Sequence, residues 1–414
     1  MKILLYGLNY APEITGIGKY SGQLGGWLHD QGNDVKAVSA PPYYPLWKVS
    51  PEYRNWFTKE NIDGVDVRRC PLFVPKQPST ISRLLHLISF VVSSSVPLVS
   101  LLRWRPNVVV NVVPALFSSF PAWVYCRLTG AKFIIHVQDF ESDALFSLSV
   151  GKNSSFVETV WAKIERFIFS RADVVTTISD VMMANAVSKG VSQSQVSYFP
   201  NWSEVSLFQN VENVELFKKK LLADRQGKIV LYSGNIGRKQ NLDLVIECAR
   251  QSQSDGEDFL YLFCGEGAGK RELIELKERY GLKNVLFFPL QPYSDFPRLL
   301  AMADVHLVVQ NPDVANTVLP SKLTNILAVG GNAVVTTNKE TEIGRLIDSN
   351  PGIAFPVIPD DSNKLLAGIK LASKQKKINN IAMTYAEENL AKEPILKQFS
   401  ELLIKITSAK LRRK

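Results

Sequence analysis

The stretch whose reading decides the fold is MKILLYGLNYAPEITGIGKYSG, residues 1–22. Its first part, KILLY, is an unbroken apolar run, which predicts a strand buried on both faces. A long loop follows, and Gly16 and Gly18 close it just ahead of an amphipathic, helical pattern. A strand, a glycine loop and a helix in that order open a nucleotide-binding α/β unit. The dinucleotide fingerprint G-x-G-x-x-G needs its glycines tight against the strand. Here Gly16-Ile17-Gly18 comes late, and Gly22 is one place off. Such a loop can still bring bare N–H groups toward a phosphate from outside the strand end. A tight helix start that serves no ligand is the simpler alternative.

Outward from that stretch, short β-branched apolar runs alternate with longer helical patterns. The first series is KILLY, VKAVS, VDVRR, NVVVNVV, KFIIHV, DVVTTI and QVSYF; the second is KIVLYSG, FLYLFCG, NVLFFP, DVHLVV and NAVVTT. Continuous apolar strands alternating with helices predict parallel sheets covered on both faces, and two series predict two doubly wound domains. The expected division is residues 1–204 and 205–392, with the helix of 393–414 packing back on the first domain. At 414 residues the chain exceeds one ordinary core.

Apolar residues make up 46% and charged ones 21%, a folded rather than a disordered composition. The net charge of +9 favours anionic partners, among them nucleotide phosphates and acidic lipid headgroups. Cys70, Cys126, Cys248 and Cys264 form no C-x-x-C pair and read as reduced core residues of a cytosolic protein. Nothing in the Cys and His spacing predicts a metal site. Residues 84–102 run without a formal charge between Arg83 and Arg103. That run reads as a core-facing helix or one dipping into a membrane surface. A spanning helix is disfavoured, because strands on both sides of it belong to one sheet. The basic tail at the C-terminus is a second candidate for membrane contact.

Five places carry candidate chemistry at the ends of strands. One is the Gly16–Gly18 loop. A second, YSGNIGRKQNL, offers Gly234, Asn235 and Lys239 beside an anionic ligand. A third, LFCGEGAGKRE, places Gly265 and Glu266 at a strand-to-helix turn. It resembles a P-loop only in Gly269-Lys270, and both ends of that motif fail. A fourth, NTVLPSKLTNILAVGG, lets Ser321 cap a helix whose N-terminus and Lys322 suit a diphosphate. The fifth, IIHVQDFESDAL, places His136, Asp139 and Glu141 at one strand end, and the first two are the catalytic candidates.

Together these motifs resemble the GT-B glycosyltransferases of family four, over nearly the whole chain. PEITGIGKY is similar to that family's glycine loop, with Thr15 where the first glycine usually stands. The APEITGIGKYSGQL, LPSKLTNILAVG and VQDF segments are most like its colanic acid and O-antigen branch. The resemblance implies two Rossmann-like domains facing a nucleotide-sugar cleft, with the glycine loop arching over the donor diphosphate. It aligns Thr317 and Asn325 with the family's Glu-x7-Glu, Asn235 with its Arg and Lys239 with its Lys, and it places Val318 and Leu319 in the same donor loop. Both usual carboxylates and one cation are therefore replaced.

The implied reaction is transfer of a sugar, with retention, from a nucleoside diphosphate sugar to a saccharide carried on a polyprenyl diphosphate. GDP-fucose is the first expected donor and a UDP-N-acetylamino sugar the second. The resemblance implies no metal, no other cofactor and no nucleic-acid partner. Its expected place is the cytoplasm, peripheral at the inner face of the plasma membrane. A two-domain epimerase acting on UDP-GlcNAc and a sugar-nucleotide-binding scaffold are the rival readings.

Overall fold

The computed structural model describes residues 1–13, 16–44, 46–76, 79–114, 116–140, 155–223, 225–237, 240–310 and 321–408. The chain divides into two units, Met1–Pro200 with Leu396–Lys414, and Asn201–Ile395. Ser203 explains why the crossing comes before residue 204. Its N–H donates to Leu390 O at 2.7 Å and its carbonyl accepts from Lys392 N at 3.1 Å, which ties residue 203 into the second unit.

The strands of the first unit are β1 (Lys2–Gly7), β2 (Asp34–Ser39), β3 (Thr58–Ile62), β4 (Val65–Arg69), β5 (Val108–Val113), β6 (Lys132–Val137), β7 (Val174–Thr177) and β8 (Val196–Tyr198). Their order is β3-β4-β2-β1-β5-β6-β7-β8. Ile3 stands opposite Val35 on one side and Val108 on the other, both in parallel register. Sheet order therefore reverses at β1, and ligands of such sheets bind beyond the carboxyl strand ends at that reversal. The glycine loop leaves the sheet there.

The polar segment Thr58–Ile62 has no apolar run, and reading by hydrophobicity passes over it. It forms an antiparallel edge strand because Asp63 and Gly64, at φ 48° and 80°, close a tight hairpin onto β4. The sheet is thus mixed at one edge rather than wholly parallel.

Helix α1 (Gly16–Asp30) follows β1, α2 (Thr80–Ser100) precedes β5, α3 (Ser119–Thr129) joins β5 to β6, and α4 (Ser155–Phe169) precedes β7. Ser79 and Ser82 close a capping box at the start of α2. The inner face of α2 packs on β1: Phe90 stacks on Tyr6 at 5.8 Å, and Ser94 Oγ and Tyr6 Oη share a hydrogen bond of 2.7 Å. These contacts lay the helix along the sheet, which excludes a crossing of the bilayer by residues 84–102.

The second unit holds β9 (Lys228–Ser233), β10 (Phe259–Cys264), β11 (Val285–Phe288), β12 (Val305–Val308), β13 (Ala333–Thr336) and β14 (Phe355–Val357), in the order β11-β10-β9-β12-β13-β14. All its pairings are parallel, and the reversal lies between β9 and β12. Alternate residues of β9 feed two cores: Ile229 and Leu231 face one, Val230 and Tyr232 the other. Each such buried aliphatic side chain contributes roughly 1.5–3 kcal/mol. Helix α5 (Ser321–Ala328) runs toward β13. The last helix, α6 (Lys392–Ser408), belongs to the first unit from Leu396 onward, where Phe399 stacks on Phe199 at 3.9 Å. Residues 409–414, with most of the basic tail, lie outside the described residues.

Candidate active site

Two sets of side chains stand at the carboxyl ends of strands, one in each unit. In the second unit the chain leaves β9 at Gly234 and leaves β10 at Gly265. The two loops run side by side: Gly234 N donates to Cys264 O, Ile236 N to Glu266 O and Gly269 N to Ile236 O, each at 2.9 Å. A Cβ on Gly265 would overlap the carbonyl oxygen of Gly234. Gly265 is therefore glycine because two backbones meet there, not because a ligand must approach. Gly234 differs. Its φ is 140°, and the space for its Cβ is open toward Lys322, whose Cε and Nζ lie 3.6 Å away.

Lys322 is the second residue of α5. Its Nζ donates to Tyr232 Oη at 2.9 Å and lies 4.2 Å from the centre of that ring. Tyr232 Oη in turn donates to the carbonyl of Asn235 at 2.7 Å. One hydroxyl thus joins α5 to the loop after β9. Among the described residues Lys322 forms no ion pair, and loss of water lowers its pKa to about 8. A cation at a helix N-terminus is held against the macrodipole, so positive potential accumulates there. That arrangement suits a phosphate group.

The remaining residues expected around the donor divide differently. Asn325 Oδ1 accepts from the buried Ser203 Oγ at 2.9 Å, so its carbonyl is committed to the protein. Through that bond Asn325 anchors α5 to the segment at residue 203, a role the sequence reading does not include. Glu266 pairs with Lys270 at 2.7 Å, an exposed i,i+4 bridge. Lys239, Thr317, Val318 and Leu319 lie outside the described residues, as does the side chain of Ser321, which begins α5.

In the first unit, Gly16 begins α1 with φ 62° and is exposed. Gly18 is buried, and a Cβ there would overlap the Glu13 side chain. Gly18 therefore lacks a side chain because the Glu13 carboxylate occupies that space, while its own N–H lies in the first turn of α1. Glu13 accepts from Tyr43 N and Tyr44 N at 3.2 Å and from Asn9 Nδ2 at 2.9 Å, and burial raises its pKa. Arg69, fully buried, reaches the carbonyls of Ala40 and Ala11. Together these groups fix the loop before α1 from below.

His136, in β6, is 3% exposed. Its Nδ1 donates to Thr176 Oγ1 at 2.9 Å, and its Nε2 accepts from Gln138 Nε2 at 2.8 Å. Burial lowers its pKa to about 3. A neutral imidazole with both nitrogens engaged within the protein holds Gln138 in place. Asp139, by contrast, is exposed at the carboxyl end of β6, while Glu141 lies outside the described residues. We expect the His136 ring nitrogens to show no titration by nitrogen-15 NMR between pH 5 and 8, as befits a ring that orients its neighbours; a midpoint in that window would assign it proton transfer instead. Both His136 and His306 have folded pKa values near 3, below the usual 6.5. The unfolded chain takes up their protons first, so stability falls as pH drops from about 6.5 toward 3.

Reading the sequence misses Tyr232, Glu13 and Ser203. Tyr232 looks like a core aromatic of a strand, and only its place one residue before the strand ends sets its hydroxyl beside the loop. Among the described residues no group of three or more His, Cys, Asp or Glu is placed to hold a metal ion.

Residues 15–202 match the Glycosyl transferase 4-like domain, and residues 213–389 match the Glycosyl transferases group 1 family. An Escherichia coli (strain K12) protein, WcaI, named as a glycosyl transferase of colanic acid biosynthesis, is 47% identical over 96% of this chain and 98% of its own. Among solved structures, sucrose-phosphate synthase from Thermosynechococcus elongatus superposes with a TM-score of 0.76 at 15% identity, covering 99% of this chain and 100% of that one. HepE of Anabaena, crystallised with UDP, superposes with a TM-score of 0.70 at 13% identity, covering 98% and 100%. The fold, the two family matches and the long alignment agree: the chain belongs to the family-four glycosyltransferases of the GT-B fold.

Proposed function

We propose that this glycosyltransferase moves a sugar from a nucleoside diphosphate sugar to a lipid-linked saccharide during assembly of a colanic-acid-like surface polysaccharide. The observation that carries the donor side is Lys322: a half-buried ammonium at a helix N-terminus, facing the bare side of Gly234 at the sheet reversal. The polysaccharide assignment follows the name of the Escherichia coli relative. GDP-fucose is the first donor proposed, and a UDP-N-acetylamino sugar the second.

Reaction requires an oxocarbenium-like sugar to part from a diphosphate that gains negative charge. Lys322 and the first amides of α5 would stabilise that charge in place, with Lys239 as a second cation. Fixed cations and N–H groups can do this work without a metal, and we assign the reaction to that class. Retention follows if a donor phosphate oxygen accepts the proton of the incoming hydroxyl on the face the diphosphate leaves. Asp139 would orient the sugar. A polyprenyl-linked acceptor would place the enzyme at the cytoplasmic surface of the plasma membrane.

The test is incubation of the purified chain with labelled GDP-fucose and UDP-N-acetylamino sugars, with and without a polyprenyl-diphosphate saccharide. Transfer from GDP-fucose only in the presence of the lipid, with the anomeric configuration retained by NMR, is the expected result. Transfer only from the UDP sugars replaces the donor. Epimer formation without acceptor, or binding without turnover, overturns the proposal.

A further inference from the structure

Helix α2 buries one face and leaves the opposite one bare. Ile81, Leu85, Ile88, Val92, Val96 and Val99 are all exposed, Val92 by 67%. They recur every three or four residues, so they form one stripe about 27 Å long down the outside of the helix. Helix α3 repeats the pattern, with Phe120, Val124 and Leu128 exposed at four-residue spacing. Tyr125 Oη donates to Leu101 O at 2.9 Å, which holds the two helices together. Scattered apolar residues on a surface are ordinary, but a contiguous stripe on adjacent helices marks an interaction face.

Charge identifies what covers it. Between Asp66 and Asp139 the chain has no acidic residue at all, yet it has eight Lys and Arg. Of these, Arg103 and Arg105 follow α2, and Arg127 stands in the last turn of α3, all exposed. Arg171 joins them over the rings of Trp123 and Phe167, at 5.4 and 4.6 Å. An apolar stripe with exposed arginines at its end matches the boundary between acyl chains and anionic headgroups, with Asp34, which accepts from Trp104 Nε1 at 2.8 Å, as the acidic neighbour of Arg103 and Arg105.

We propose that the α2–α3 face docks this chain on an anionic bilayer, with both helices lying in the membrane plane and Arg103, Arg105 and Arg127 on lipid phosphates. The proposal rests on the lipid-linked acceptor argued above and gives that acceptor's membrane a specific landing surface. It needs no covalent step and no part of the donor site.

The experiment is co-sedimentation of the full chain with vesicles of phosphatidylcholine alone and of phosphatidylcholine with phosphatidylglycerol. Binding is expected to be at least about ten-fold tighter to the anionic vesicles and to weaken with added salt. Val92→Asp/Val96→Asp should lower it about ten-fold or more, and the milder Val92→Ser/Val96→Ser should lower it less with an unchanged melting temperature. Arg103→Glu/Arg105→Glu should remove the preference for anionic lipid. Vesicle binding by the Asp variant equal to wild type overturns the proposal. So does a wild-type dimer in sedimentation velocity that the same variant dissociates, since a second copy would then cover the face. Nucleoside diphosphate binding is measured on each protein without vesicles. Retained nucleotide binding with no vesicle binding in the wild type overturns the docking alone and leaves the glycosyltransferase reading standing.

Discussion

Lys322→Met is expected to lower transfer by about 10²- to 10³-fold while leaving the fold as stable as before, or more so. The two effects have one cause. The ammonium loses much of its hydration beside Tyr232 and gains no carboxylate among the described residues, so the folded chain holds the charge at a disadvantage. Its pKa of about 8, against 10.5 when unperturbed, means the unfolded state binds the proton more tightly. Below about pH 8 the wild type therefore gives up at most about 3 kcal/mol, less the part that residual water around a half-buried side chain restores. Between about pH 8 and 10.5 the unfolded chain still carries the proton and the folded chain does not. Stability of the wild type should rise with pH across that window, and the Met variant should lack the rise. Donor affinity should run the other way, falling above about pH 8 as the cation is lost. Thermal melts across pH, paired with steady-state kinetics, read all three. Transfer within about three-fold of wild type would remove Lys322 from the donor site.

Tyr232 and Glu13 show where reading the sequence stops. The strand series and the two sheets follow from short β-branched runs, because a strand buried on both faces has no freedom to be polar; the reversal points appear only in the observed strand order. Thr58–Ile62 escapes for the opposite reason: an edge strand needs no apolar face, and Asp63-Gly64 was its only signal. Among the site residues, Lys322 is legible because a helix start beside a glycine loop is a local pattern. The role of Gly18 is not, because the side chain that fills its place belongs to Glu13, whose own partners lie about thirty residues further on. The place of His136 at a strand end marks it as a catalytic candidate. One of its two ring bonds comes from Thr176 on the neighbouring strand, which sequence spacing does not reveal.

Gly265→Ala should be among the most damaging substitutions in the second unit, and Gly234→Ala should damage function instead. At Gly265 the added methyl would overlap the carbonyl oxygen of Gly234, and φ there is 157°. The obstacle is backbone, held by Gly234 N to Cys264 O and Ile236 N to Glu266 O, so it cannot rotate aside. Either the two loops separate, breaking those bonds, or the strand ends shift in the core; roughly 3–4 kcal/mol of stability is expected to be lost. For a unit of this size that corresponds to a fall in melting temperature on the order of 10 °C. At Gly234 the methyl meets only Lys322, 3.6 Å away, and the penalty is the positive φ of 140°, about 1–2 kcal/mol. Its methyl would, however, stand on the side of the loop that faces the ammonium, where the proposed diphosphate would lie. Gly234→Ala should therefore melt within a few degrees of wild type yet lose most of its affinity for a nucleoside diphosphate. If the two variants exchanged these behaviours, the glycine that packs and the glycine that faces the ligand would have to be reassigned, and with them the side of the β9 loop on which the diphosphate lies.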